Sequence, residues 1–442
     1  MSEIEEFPKE STTGYPSLWR NPDFLKFLSG EFITNLGDSL YSAAILWLVF
    51  QLSGSTFLTG VANFLLLLPW LLQFVAGPII DRFSIKHVLV LMQFVQGITI
   101  LTLPVAKYTG HLSVGLILAV IPVLSLMTLV LSPVQTALVP RIVTSDRLSK
   151  ANSTLATATL GLDTVFEAFG ALLIPAFGAI KLFVVDSLTF LVSGLLFLGM
   201  TIPRVENSDE ESEESEESEE SEEAGFSGYV NDLREGISIL RGTVFVDMMF
   251  TSAVFHFALG MMLAILPAFG SLRGGPTMYG LLLGAFGVGR MVGTVVAPRL
   301  ESVPYGRWKA VAYVISAALW VGSVYSSSTV LTVGLFGLAW IPAGVNGVLV
   351  STLNQRVFPK TILGRISSVK GTASTATLPV GSLVGGFIAN YLGTPTTMGL
   401  AAFGFCFTGV FFALRPSLRE LPAVRNADRS DFNIGDMRSA DD

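Results

Sequence analysis

The chain of 442 residues has one cysteine, three histidines and charged side chains at only 14% of its positions. Each scarcity excludes something. Cys406 lies in an apolar stretch with no disulfide partner, so it reads as a small apolar filler rather than a redox centre. No His, Cys and carboxylate cluster has metal-ligand spacing, so neither a metal nor a cofactor is expected. The absence of a GxxxxGK[ST] loop excludes a Walker-type nucleotide site, and with it work driven by ATP hydrolysis. No nucleic-acid partner is expected. The residues before Arg20 are polar and acidic, so no cleavable signal peptide is expected and the first apolar stretch acts as an uncleaved insertion signal.

What the chain has in abundance is apolar length. Hydrophobic residues make up 51% of it, and its mean hydropathy is +0.63. Twelve stretches of about 20 residues each match the hydrocarbon thickness of a bilayer. They fall roughly at 24–50, 57–80, 87–106, 113–137, 152–174, 178–200, 244–269, 277–299, 309–326, 329–352, 365–390 and 395–414. The expected fold is an all-α membrane protein of twelve transmembrane helices.

Lys and Arg orient the spans. Of the 27 Lys and Arg, all but Lys107, Lys181, Arg273 and Arg290 fall on the side that holds both termini. The alternation holds through every loop, which supports an even span count and puts both termini in the cytoplasm of a cell membrane. The global negative charge misleads, because Ser208–Glu223 is a Ser-Glu-Glu repeat and the rest of the chain is net positive. Like charges at that density cannot build a core, so the repeat is expected to be a disordered cytoplasmic linker. Apolar Phe226, Val230, Leu233, Ile237 and Leu240 follow at helical spacing, as in an amphipathic helix lying on the membrane face. The resulting layout is an N-terminal tail over 1–23, a six-helix bundle over 24–200 and a linker over 201–243. A second bundle over 244–414 and a C-terminal tail over 415–442 complete it.

The loop after the second span reads Gly77-Pro-Ile-Ile-Asp81-Arg82-Phe-Ser84-Ile85-Lys86. It resembles the major facilitator signature G-x-x-x-D-R-x-G-R-[KR], with Ser84 and Ile85 in place of Gly and Arg. A degraded copy, Gly306-Arg307-Trp308-Lys309, follows the eighth span, as an internal repeat of two pseudo-symmetric six-helix bundles requires. A narrower resemblance rests on Gly37-Asp38, on Ser132-Pro-Val-Gln135 with Leu138-Val-Pro140 and Leu148-Ser-Lys-Ala151-Asn152, and on Leu233-Arg234-Glu235-Gly236-Ile237. These are similar to the macrolide-efflux and enterobactin-exporter branch of drug:proton antiporters. The antiporter motif G-x-x-x-G-P-x-x-G is poorly kept, since no Pro follows Gly170.

The resemblance implies that Gly77, Asp81, Arg82 and Lys86 form a gating loop. Asp81 there can face the positive end of a helix in the other half, while Arg82 and Lys86 pair with carboxylates or lipid headgroups. A plain turn obeying the charge rule would use the same residues.

Charges inside the spans are more specific, because each costs about 2.5–3.5 kcal/mol at a helix centre. Glu31, Asn35 and Asp38 share one face of the first span, and Asp163 and Glu167 are one turn apart in the fifth. Arg290 lies deep in the eighth. The resemblance implies that these groups face one polar cleft, with Asp38 and Glu167 the foremost proton carriers; a static ion-pair network is the alternative. His256 and Asn346 are further candidates for proton or substrate contact, whereas Asn63, Gln93 and Gln96 read as interhelical hydrogen bonders. Asp186 and Asp247 are assigned to structural pairing, and the glycines of the eighth and eleventh spans to close packing beside the boundary between halves.

The expected activity is proton-coupled export of amphiphilic or hydrophobic small molecules by alternating access, from a monomer in a lipid bilayer, without enzymatic chemistry. An uptake symporter on the same fold and a non-transporting sensor or scaffold remain open readings at this point.

Overall fold

The computed structural model describes residues 18–72, 84–144, 147–159, 163–202 and 238–432. Gly77, Asp81, Arg82 and the acidic repeat lie outside them, as does all of the expected amphipathic helix before its last residues. The first half runs through α1 (Pro22–Ser53), α2 (Thr56–Leu66), α3 (Leu68–Leu72), α4 (Ile85–Tyr108), α5 (Val114–Ile142), α6 (Leu148–Thr159), α7 (Asp163–Phe177) and α8 (Ala179–Leu198). After the helical residues 238–240, labelled α9, the second half comprises α10 (Val244–Arg273), α11 (Pro276–Leu300), α12 (Tyr305–Tyr325) and α13 (Thr329–Val357). It closes with α14 (Lys360–Thr375), α15 (Thr377–Leu392), α16 (Thr394–Leu400), α17 (Phe403–Leu414) and the single turn α18 (Pro416–Arg419). Among the described residues the only β pairing is one bridge between Pro304 and Ala423.

Among the described residues, ten helical segments are long and apolar enough to cross a bilayer. The remaining two expected spans, the second and the fifth, each run into residues outside the described set. Local chemistry sets the ends. Asn21 caps α1 by accepting from the Asp23 and Phe24 amides, with Pro22 at the first helical position. Gly54, at φ 62°, closes the same helix in the left-handed conformation, and Ser55 at once caps α2. Proline explains two interruptions inside spans. Pro69 cannot donate to residue 65 and Pro379 cannot donate to residue 375, so the helix breaks near Leu67 and near Ala376.

In the first half α1 packs on α7 and α8, and α4 lies between α5 and α8. In the second, α11 packs on α13, α12 on α13 and α17, and α10 on α15. The halves meet where α7 touches α11 and where α2 touches α15 and α10. Call the side holding the start of α1 and the C-terminal segment the terminal face, and its opposite the distal face. One apolar cluster crosses both halves toward the distal face, joining Ile45, Trp47 and Phe183 to Met261, Tyr279 and Trp340. Toward the terminal face each half has its own cluster, one around Phe24, Leu89 and Phe197 and the other around Phe245, Leu353 and Phe412. The interior is therefore sealed distally and divided toward the terminal face.

The segment expected as a C-terminal tail is packed over 415–432. Val424 and Phe432 are buried, Phe432 stacks on Phe245 with ring centres 5.0 Å apart, and Arg429 Nε donates to the Val357 carbonyl at 3.0 Å. The same segment covers Gly306, where an added Cβ would lie 1.9 Å from the Leu418 carbonyl oxygen.

Candidate functional site

A buried polar seam runs between α1, α4, α5 and α8. Glu31 is buried and accepts a 2.7 Å hydrogen bond from Gln135 Nε2 of α5. Thr34 donates to Gln93 Oε1 of α4 at 3.4 Å. Ser193 and Ser187 of α8 donate to the Gly30 and Gly97 carbonyls, at 2.9 and 2.8 Å. Two turns along α1 from Glu31 comes Asp38, half-buried and within electrostatic reach of both Glu31 and Asp186.

Asp186 corrects its sequence assignment. It lies inside α8 with no exposed surface, has no ion pair among the described residues, and its Oδ2 has no hydrogen-bond partner. Its approach to α1 depends on Gly37, where a Cβ would stand 2.4 Å from Asp186 Oδ1 and 2.1 Å from Thr189 Oγ1. Spacing along one helix could not reveal this, because the opening is made by a glycine on another. Asp247 does form the expected structural pair, with Arg415 at 3.0 Å.

The second half buries the opposite charge. Lys309, counted from the sequence as a loop cation, lies one turn inside α12, because that helix begins at Tyr305. Its ammonium sits 4.5 Å from the centre of the Phe412 ring, 5.4 Å from Tyr313 and 5.6 Å from Tyr305. It donates to the Tyr305 hydroxyl at 3.2 Å, and that hydroxyl donates to Asn346 Oδ1 at 2.8 Å. Lys370, also buried, lies over Phe245 at 3.9 Å and donates to Asn354. His256 donates through Nδ1 to the Ser252 carbonyl at 2.8 Å and feels the charges of Arg290 and Lys309. Arg290 is exposed, with its guanidinium 5.2 Å from the Phe286 ring centre. Aromatic clustering around a cation was a signal available in the sequence only once the fold had brought the rings together.

Asp163 and Glu167 lie on α7, but their side chains fall outside the described set, so the four-charge cleft is described only at Asp38 and Arg290. Of the gating loop only Lys86 is described. It donates to the Met200 carbonyl at 2.6 Å, tying the start of α4 to the end of α8, rather than meeting a carboxylate.

Among the described residues, three hydrogen bonds join the halves toward the distal face. Tyr279 donates to the Ala43 carbonyl at 3.2 Å, Thr56 to the Gly386 carbonyl at 3.0 Å, and Asn63 to Ser382 Oγ at 2.8 Å. Trp47 stacks on Tyr279. The glycines divide between two tasks. Gly280 meets Ala171 and Gly386 meets Thr56 and Gly60 across the boundary, whereas Gly289, Gly293, Gly381 and Gly385 serve packing within the second half.

Against this geometry, a family model described as "Transmembrane secretion effector" (MFS_3) matches residues 17–438. The chain belongs to that family. It is a multi-pass membrane transporter of the major facilitator type, and not an enzyme. Two relatives from Bacillus subtilis (strain 168) agree. The uncharacterised MFS-type transporter YvqJ is 22% identical over 427 residues, covering 94% of this chain and 96% of its own. YkuC, also an uncharacterised MFS-type transporter, is 22% identical over 370 residues, with coverages of 80% and 82%. Among solved structures, an inward-facing bacterial homologue of the human lysosomal transporter Spinster superposes with a TM-score of 0.63 at 12% identity, covering 90% of this chain and 97% of its own. The nucleoside transporter NupG gives 0.63 at 13% identity, covering 89% and 98%. At such identities the structures speak for the shared fold alone.

Proposed function

We propose that this family member exports amphiphilic or hydrophobic small molecules from the cytoplasm across the cell membrane, in exchange for protons. The observation that carries the reading is the acidic seam between α1 and α8, where Glu31, Asp38 and Asp186 are grouped and, among the described residues, no lysine or arginine bonds Glu31 or Asp186. Enclosed carboxyls favour taking up a proton over holding a charge, which is the chemistry a proton-driven carrier needs. Asp163, Glu167, Arg290, His256 and Asn346 remain candidate contacts for proton or substrate, and Gly77, Asp81, Arg82 and Lys86 the candidate gating loop.

Direction rests on three supports: the secretion named in the family description, the likeness to macrolide and enterobactin exporters in the sequence, and the charge asymmetry that assigns the terminal face to the cytoplasm. On that orientation the distally sealed interior opens to the cytoplasm, ready to load cargo. The transporter works as a monomer of two six-helix bundles joined by the acidic linker.

Proteoliposomes loaded with ethidium or Hoechst dye and placed under an imposed pH gradient test the reading. Dye should move against its own gradient, opposite to the proton flow, and stop when a protonophore collapses the pH difference. Movement in the same direction as protons would make the protein a symporter, and no response to the gradient for either dye or for a panel of macrolides would remove the reading.

A further inference from the structure

We infer that Asp186 and Asp38 form a two-carboxyl proton site completed by the Tyr41 hydroxyl, and that the proton held there controls the distal seam between the halves. The inference deepens the proton-coupled reading and depends on it for the role in transport, though not for the existence of the site.

Asp186 is pressed against α1 at Gly37, beside Asp38. Thr189, one turn along α8, spends its hydroxyl hydrogen chiefly on the Asp186 carbonyl at 2.7 Å and stands 3.4 Å from Oδ1, so the carboxyl receives at most a shared hydrogen bond. Oδ2 receives none, and the Tyr41 hydroxyl, also buried and three residues beyond Asp38, has none either. Tyr41 is within electrostatic reach of both carboxyls. A buried carboxyl oxygen and a nearby buried hydroxyl, both without partners, leave room for a proton to be taken up and passed on.

Among the described residues, the elements packed on α8 bring no compensating cation to Asp186. From α4 the buried polar side chains are the neutral amides Gln93 and Gln96, while Lys86 is engaged at the Met200 carbonyl. From α1, Lys26 bonds Asp23 and the Gly199 carbonyl at the terminal end, and Glu31, Asp38 and Tyr41 are the remaining titratable groups. Asp163 and Glu167 of α7 belong to the undescribed side chains. An ionised Asp186 would add a buried negative charge beside Asp38, whereas a proton on Asp186 removes it.

The same stretch of α1 carries the seam. Ala43 and Trp47, just past Tyr41, are the residues that meet Tyr279 of the other half. Gly170 of α7 packs on Ser39 and Leu40, and its neighbour Ala171 meets Gly280 of α11. Losing the proton puts a second charge behind the stretch of α1 that carries both contacts, and a shift of α1 that relieves this charge also loosens them. Protonation therefore closes the distal seam and deprotonation opens it.

The test is infrared difference spectroscopy of the full-length protein in lipid, without cargo, titrated with pH. A carbonyl stretch of a protonated carboxylic acid should appear, vanish in Asp186→Asn, and change its titration midpoint in Asp38→Asn and Tyr41→Phe. If Asp186→Asn does not fold, the other two variants read the same band. In a Cys406→Ala, Ala43→Cys background, maleimide labelling from the distal side should rise about fivefold as the band disappears. A band unchanged in all three variants, or no such band at any pH, overturns the site; labelling that ignores the titration overturns its control of the seam. A band that depends on Asp186 in a protein that fails to respond to a pH gradient would leave the site standing and remove the export reading alone.

Discussion

Among the described residues, Glu31 and Asp186 in the first half meet amides, hydroxyls and another acid, whereas Lys309 and Lys370 in the second meet aromatic faces, a phenol and an amide. The two halves bury opposite charges and accommodate them differently. An ammonium over aromatic rings recovers part of its desolvation cost, about 2 kcal/mol for a desolvated contact. A carboxyl against other carboxyls does not, and its way out is a proton. On the proposed reading the first half is the one that exchanges the proton. The second serves as its frame, held by the C-terminal segment that crosses its terminal face through Val424 and Phe432.

The frame should fail first if that segment is loosened. Phe432→Ala removes a buried ring stacked on Phe245 and should cost about 3–5 kcal/mol, read as a lowered thermal midpoint in detergent. An unchanged midpoint would mean that the segment decorates the second half without bracing it. Next in size is the boundary between the halves. Gly386→Val drives a side chain into the Thr56 carbonyl oxygen, 2.5 Å from where its Cβ must go. Overpacking of about 1–3 kcal/mol should then favour the distally open state, seen as faster distal labelling of Ala43→Cys in a Cys406→Ala background. Labelling as slow as before would show that the seam has room to give.

The smallest effect is the sharpest for the comparison. Lys309→Met should leave stability within about 1 kcal/mol, because the rings that hold the ammonium also suit an apolar side chain of similar length. A loss of about 3 kcal/mol or more would mean that Lys309 has an anionic partner and that the second half is no neutral frame.

Much of this was legible in the sequence. Apolar length located the long helices to within a few residues, and the spacing of Glu31, Asn35 and Asp38 named the polar face of α1. Asn63 was read correctly as an interhelical bonder, though not as one that joins the halves. What remained hidden depended on a second element. Asp186 looked like a routine pairing residue because nothing in α8 announces that Gly37 opens α1 opposite it. Lys309 looked like a loop charge because Tyr305-Gly306-Arg307-Trp308 is apolar only in part, and its helical start is secured by the distant segment around Leu418 and Pro422. Pro69 and Pro379 account for the breaks at Leu67 and Ala376 once these are seen, but the expected spans ran through both, and Pro104, Pro175, Pro267, Pro298 and Pro342 lie inside helices that continue past them.

The central claim, that proton coupling belongs to the acids of the first half and not to the cations of the second, is tested most directly by one flux comparison. Asp38→Asn and Lys309→Met are reconstituted at matched density, and dye transport is followed under an imposed pH gradient and in equilibrium exchange. The account predicts that Asp38→Asn loses gradient-driven transport while keeping exchange, and that Lys309→Met keeps both. Normal driven transport in Asp38→Asn, or its selective loss in Lys309→Met, would contradict it.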